Sequence, residues 1–158
     1  LGDSLTIPIE VLPDVDDLVL SAPTDVLSVR EDEDLVIEGL AISDADFEAC
    51  RASGPRLVPH TNTSSATVPV HCSTGGTKKL SLYARHGFLT LGQISGRLQF
   101  QVGTGVRDSE IVVVGELGDL NLALAKVLYT PAPNFHTDGA APEAITVVVV
   151  DHDEVVAA

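Results

Sequence analysis

The chain has 158 residues, 44% of them apolar, with a formal net charge of −14 and a pI near 4.4. That leaves room for one ordinary domain with a real core and excludes wholesale disorder. The acidic balance argues against nucleic acid and anionic membrane surfaces as partners, and no apolar run is long enough for membrane insertion by a helix.

In chain order, Leu5 to Val11 alternates apolar with small or polar residues and stops at Pro13, which predicts a strand. Val26 to Val29 predicts a short strand, and Leu35 to Ile42 a longer one buried on much of both faces. Residues 51 to 77 are rich in Gly, Pro, Ser and Thr and read as a long, partly mobile excursion. Lys79 to Ala84 resumes the strand pattern, and Gly87 turns into Phe88-Leu89-Thr90-Leu91. Arg97 to Val102 and Glu110 to Val114 are further strands, separated by the turn Gly103-Thr104-Gly105. One helical stretch, Asp119 to Ala125, has Asp119 as its expected N-cap and Leu117, Leu120 and Leu124 on one face. Val127 to Thr130 and Ala144 to Asp151 close the pattern. Short strands punctuated by Gly and Pro predict an all-β protein, an antiparallel β-sandwich with one short helix.

An apolar strand followed by an acidic exit occurs twice, at 5–17 and at 144–153. The separation is about one domain length, and the chain opens on Leu1 in mid-pattern. The simplest expectation is a tandem array excised from something longer. Residues 1–17 would be the terminal strand and linker of a preceding repeat, and 18–158 the next repeat, with an inserted loop near 48–79.

Cys50 and Cys72 bracket that loop. A disulfide between them would stabilise by roughly 3 kcal/mol in the chain-entropy model; the alternative is two unrelated buried thiols. An Asn62-Thr63-Ser64 glycosylation sequon lies in the same loop, and both signals lean towards an extracellular or cell-surface setting.

The acids gather in four places: Asp14, Asp16 and Asp17; Glu31-Asp32-Glu33-Asp34; Asp44 and Asp46; Asp151, Asp153 and Glu154. Asp-x-Asp at strand ends points oxygens into loops, where Ca²⁺ needs six to eight of them. Four stretches then resemble the cadherin-like repeats of large surface proteins, close to those of bacterial repeat adhesins and chondroitin-sulfate-proteoglycan-type ectodomains. They are Val29-Arg30-Glu31-Asp32-Glu33-Asp34-Leu35; Leu40-Ala41-Ile42-Ser43-Asp44-Ala45-Asp46; His86-Gly87-Phe88-Leu89-Thr90-Leu91; and Gly118 to Leu124 followed by Leu128 to Phe135. The match runs over nearly all of residues 24–153.

The resemblance implies an immunoglobulin-like sandwich with calcium at the junctions between repeats. It places Asp14, Asp16 and Asp17 with Asp44 and Asp46 at the N-terminal junction, and Glu31 with Asp151 and Asp153 at the C-terminal one. The sequence departs from the family in three ways. Val15 stands where the linker usually supplies an Asn, the mid-domain acidic motif is not evident, and the 48–79 span is long.

Other chemistry is thin. His60, His71 and Cys72 fit no zinc spacing, no serine sits in a Gly-x-Ser-x-Gly elbow, and the glycine pairs open no phosphate loop. With no Trp, two Tyr and four Phe there is almost no platform for stacking on sugar rings, so an enzyme is not expected. The sequence therefore predicts a structural or adhesive repeat, rigidified by calcium and partnered by neighbouring repeats, other copies or a surface protein. Two alternatives stand beside it: a filament unit held by protein–protein contacts, and a ligand-recognition module using the 48–79 loop.

Overall fold

In the computed structural model the described residues are 18–45, 47–48, 56–58, 68–70, 77–137 and 142–151, with the backbone alone at 56–58 and 68–70. They form antiparallel strands with one short helix, an all-β fold. The largest sheet has four strands in the order β11 (Ile145–Asp151), β6 (Thr77–Ala84), β9 (Glu110–Glu116) and β8 (Gln99–Val102). A three-stranded sheet runs β2 (Leu35–Ile37), β10 (Val127–Pro131), β7 (Gly87–Thr90). β1 (Val19–Ser21) pairs with β3 (Ala41–Ser43), and β4 (Arg56–Val58) with β5 (Val68–Val70).

The core follows from side-chain alternation. In β6, Lys78, Leu80, Leu82 and Ala84 are buried while the residues between them face outward, as a period of two requires. Ile111 and Val113 of β9, Leu89 of β7, Val127 and Tyr129 of β10, and Ile37 and Ile42 join them in one cluster. α1 (Leu117–Leu124) follows β9 without a loop and adds Leu117, Leu120, Ala123 and Leu124, the apolar face expected for it. Gly115, at the end of β9, lets the chain pass Leu98, since a Cβ there would lie 2.5 Å from Leu98 Cδ2.

Four expectations change. The strand expected over 35–42 is two strands in different sheets, because Gly39 adopts φ +85° and turns the chain between them. Val26 to Val29 is not a strand; it runs outside the four sheets with Val26 77% exposed. The 51–77 excursion contains the β4–β5 hairpin, with Arg56 opposite Val70 and Val58 opposite Val68. Asp119 is not the N-cap: Glu116 holds that position without a side-chain hydrogen bond, and Asp119 lies inside the first turn. Its carboxylate binds Arg97 instead, with Nη2 donating to Oδ1 at 3.2 Å and Nε 3.0 Å from Oδ2.

The strand expected at 5–11 and the division at residue 17 lie outside the described residues, as do Cys50, Cys72 and Asn62.

Candidate functional site

The most unusual side chain in the core is Lys78. Its parity on β6 sends it to the same face as Leu80 and Leu82, and its side chain is only 4% exposed. Burying an ammonium this deeply is unfavourable unless anions meet it. Two do. Asp44 Oδ2 lies 3.0 Å from Lys78 Nζ, and Asp151 Oδ1 accepts a hydrogen bond from the same nitrogen.

Each partner is placed by its own local structure. Asp44 follows β3 and opens a helical turn: its Oδ1 accepts the Phe47 N–H at 3.1 Å, and its carbonyl accepts the Glu48 N–H at 3.0 Å, an N-cap arrangement. That fixes one carboxylate oxygen and leaves Oδ2 for the lysine. Asp151 ends β11 directly opposite Lys78 in the β6–β11 register. It shares the strand face of Ile145, Val147 and Val149, which pack on the core. The Asp44 side chain is 9% exposed and that of Asp151 45%. Burial works to lower the Lys78 pKa, but the hydrogen bonds and charges of Asp151 and Asp44 together outweigh it and raise it above its ordinary value.

This geometry regroups the acids. Asp44 and Asp151 were expected at opposite junctions, yet one lysine joins them at the same end of the core. Glu31, expected beside Asp151, is elsewhere: its carboxylate lies 3.7 Å from His136 Nδ1, and with Glu143 it borders a cleft of about 690 Å³. Glu143 lies just before β11, whose other end is Asp151. Six residues of strand span about 20 Å, which sets Glu143 and Asp151 at opposite ends of β11. Asp14, Asp16, Asp17, Asp46 and Asp153 lie outside the described residues. Among the described residues, no group of three or more His, Cys, Asp or Glu could hold a metal ion. Among the described residues, the cation that Asp44 and Asp151 meet is the Lys78 ammonium.

At the Glu31 end, the acidic opening instead holds the end of β10 and the segment after it. Asp34 Oδ1 accepts the Thr130 hydroxyl at 2.6 Å, and Asp32 Oδ1 accepts the Asn134 N–H at 3.1 Å. The His86 ring stacks on Phe135 with centroids 4.5 Å apart, and its Nδ1 lies 2.8 Å from Glu143 Oε2. Glu143 Oε1 also accepts the backbone N–H groups of Arg85 and His86. Burial works to raise the Glu143 carboxyl, but these hydrogen bonds outweigh it and hold the pKa below the usual range. The Tyr129 hydroxyl donates to the His86 carbonyl at 3.0 Å. Three of the stretches that carried the resemblance thus meet here, as packing and hydrogen bonding among themselves.

Sequence reasoning missed Lys78. The signal was its parity with Leu80 and Leu82, one residue before the start expected for that strand. No family model matches the chain, and no curated protein or solved structure is significantly similar to it. No helix among the described residues is long and apolar enough to cross a membrane, which says nothing of β-barrels.

Proposed function

We propose that the chain is an immunoglobulin-like β-sandwich repeat with a structural or adhesive role in a large extracellular or cell-surface protein. One observation carries this reading: β11, the last strand among the described residues, is tied at its exit by Lys78, which also holds Asp44 at the end of β3. A link in an array transmits force through its first and last strands, and a buried ionic clamp at the exit resists peeling of β11 from β6. The net charge of −14 suits an extended, mutually repelling array. In this reading the described end of the repeat is held by its own lysine rather than by calcium.

The test is limited proteolysis of intact source cells followed by detection with an antibody raised against this chain. Release of an immunoreactive fragment from unlysed cells is expected. Retention of all signal until lysis would reject the surface assignment.

The β4–β5 hairpin favours a second reading, in which the 48–79 region recognises a ligand. It forms a sheet of its own rather than extending another. Replacing residues 51–71 with a short Gly-Ser linker should then leave cooperative melting intact while abolishing binding to a surface that the whole chain binds. Binding that survives the deletion removes this reading.

A further inference from the structure

We propose that Lys78 and Asp151 become joined by an intramolecular isopeptide bond, with Asp44 as the catalytic acid–base group. The proposal stands apart from the array reading, because it rests only on the three side chains and their surroundings.

An amide between an amine and a carboxylic acid forms slowly in water for two reasons. Both partners are ionised in their unreactive states, and they must meet in one orientation. The structure removes the second obstacle. β6 and β11 set Lys78 and Asp151 opposite each other in register, on the core-facing side, with Nζ in direct contact with the carboxylate. Such fixed proximity corresponds to a very high effective concentration of one reactant at the other. The first obstacle is eased only on the lysine side: burial works against the Lys78 charge, although Asp151 and Asp44 outweigh it at rest, and direct contact with Asp151 gives the proton a path to the carboxylate. The Lys78 side chain is 4% exposed and lies on the strand face of Leu80 and Leu82.

The step balances without any co-reactant. The ion pair exchanges one proton to give a neutral Nζ amine and a neutral Asp151 carboxylic acid. The amine lone pair attacks Cγ of Asp151, forming the N–C bond of a tetrahedral intermediate. Asp44 Oδ2, 3.0 Å from Nζ, accepts a proton from that nitrogen and returns it to the departing hydroxyl. The C–O bond breaks and water leaves, and Asp44 ends as the carboxylate it began as. Nothing is oxidised or reduced, and the partly open Asp151 side gives the water an exit. Asp44 suits this role because its other oxygen is held by the Phe47 N–H, so Oδ2 keeps its aim.

The experiment is intact-mass spectrometry of the purified chain, made in cells that do not glycosylate, reduced to exclude a disulfide, and shown to be folded by circular dichroism. The expected mass is lower than the sequence mass by one water. Tryptic peptide mapping should show no cleavage after Lys78, and a branched peptide joining the Lys78 and Asp151 segments. The branched peptide is needed because an aspartyl succinimide loses the same mass without making a cross-link. Lys78→Arg and Asp151→Ala should each restore the full sequence mass, and Asp44→Asn should leave the bond unformed in protein that still folds. A folded wild-type chain at full sequence mass after prolonged incubation, with normal cleavage at Lys78, would mean an ion pair only and would overturn the proposal. A bond that forms equally fast in Asp44→Asn would overturn the role of Asp44.

Discussion

Asn121 satisfies Ile42 as a neighbouring strand would: its Oδ1 accepts the Ile42 N–H at 2.8 Å, and its Nδ2 donates to the Ile42 carbonyl at 2.8 Å. One side chain from α1 thereby completes β3 on the side away from β1. Asn121→Ala would leave two backbone groups of a buried residue without partners, each worth about 1–3 kcal/mol when orphaned. Urea unfolding should show a loss of about 2–6 kcal/mol on that arithmetic. Asn121→Asp, which keeps the acceptor but loses the donor, should retain part of the stability.

Position 87 tolerates only glycine. A Cβ there would meet the Tyr129 ring and lie 2.6 Å from the Thr130 carbonyl. Gly87→Ala must displace β10 from β7, and overpacking of this kind typically destabilises by about 1–3 kcal/mol. Tyr129→Phe keeps the ring and removes only the hydrogen bond to His86, so its loss should be nearer 1 kcal/mol. Thermal melts of the two variants should rank in that order.

Stability should fall in acid, with a sign fixed by two carboxyls. Burial works to raise the Asp108 pKa, but hydrogen bonds from the backbone of Thr104, Gly105 and Val106 and from the Thr104 hydroxyl outweigh it and lower it. Glu143 is lowered in the same sense. A carboxyl with a folded-state pKa below its unfolded value contributes stability that is present above the unfolded pKa of about 4 and is lost as pH falls through the folded one. Melting temperature should therefore be level near neutrality and drop below about pH 4. Asp108→Asn should be less stable at neutral pH and show a shallower acid limb. A steeper limb in that variant contradicts the assignment.

Lys78→Met should be among the most damaging single changes, because it leaves Asp44 and Asp151 facing each other without a cation. Breaking a buried pair by removing one partner typically destabilises by about 3–5 kcal/mol. Wild-type melting should not change between millimolar calcium and excess chelator, since the lysine already occupies the space between these acids. A calcium-dependent rise in melting temperature in the wild type would show that other acids of the chain recruit the ion.

The parts of the fold that the sequence revealed are those where period and burial agree. β6, β9, β10 and β11 alternate or run apolar between clear breakers, and the leucines of α1 repeat at helical spacing. What escaped had a local signal overridden by a partner elsewhere. Gly39 sits inside an apolar run, and only its positive φ reveals that β2 and β3 serve different sheets. Val26 to Val29 has strand propensity without a strand edge beside it. Asp119 has the chemistry of a helix cap, but Arg97 from a loop before β8 claims it. Lys78 escaped because lysine on a strand normally marks the wet face. The acids that drew attention first, Asp44 and Asp151, were visible in the sequence; that one lysine would gather them was not.

β11 reads Ile145-Thr146-Val147-Val148-Val149-Val150 and stands at the margin of its sheet, bonded on one side to β6 and on the other to no strand among the described residues. Val148 and Val150 turn outward from it. A β-branched margin of this kind is a ready template for adding another chain and hence for aggregation. Whatever holds β11 in register therefore also protects solubility: a molecule whose β11 frayed from Lys78 would expose both backbone edges of a β-branched stretch.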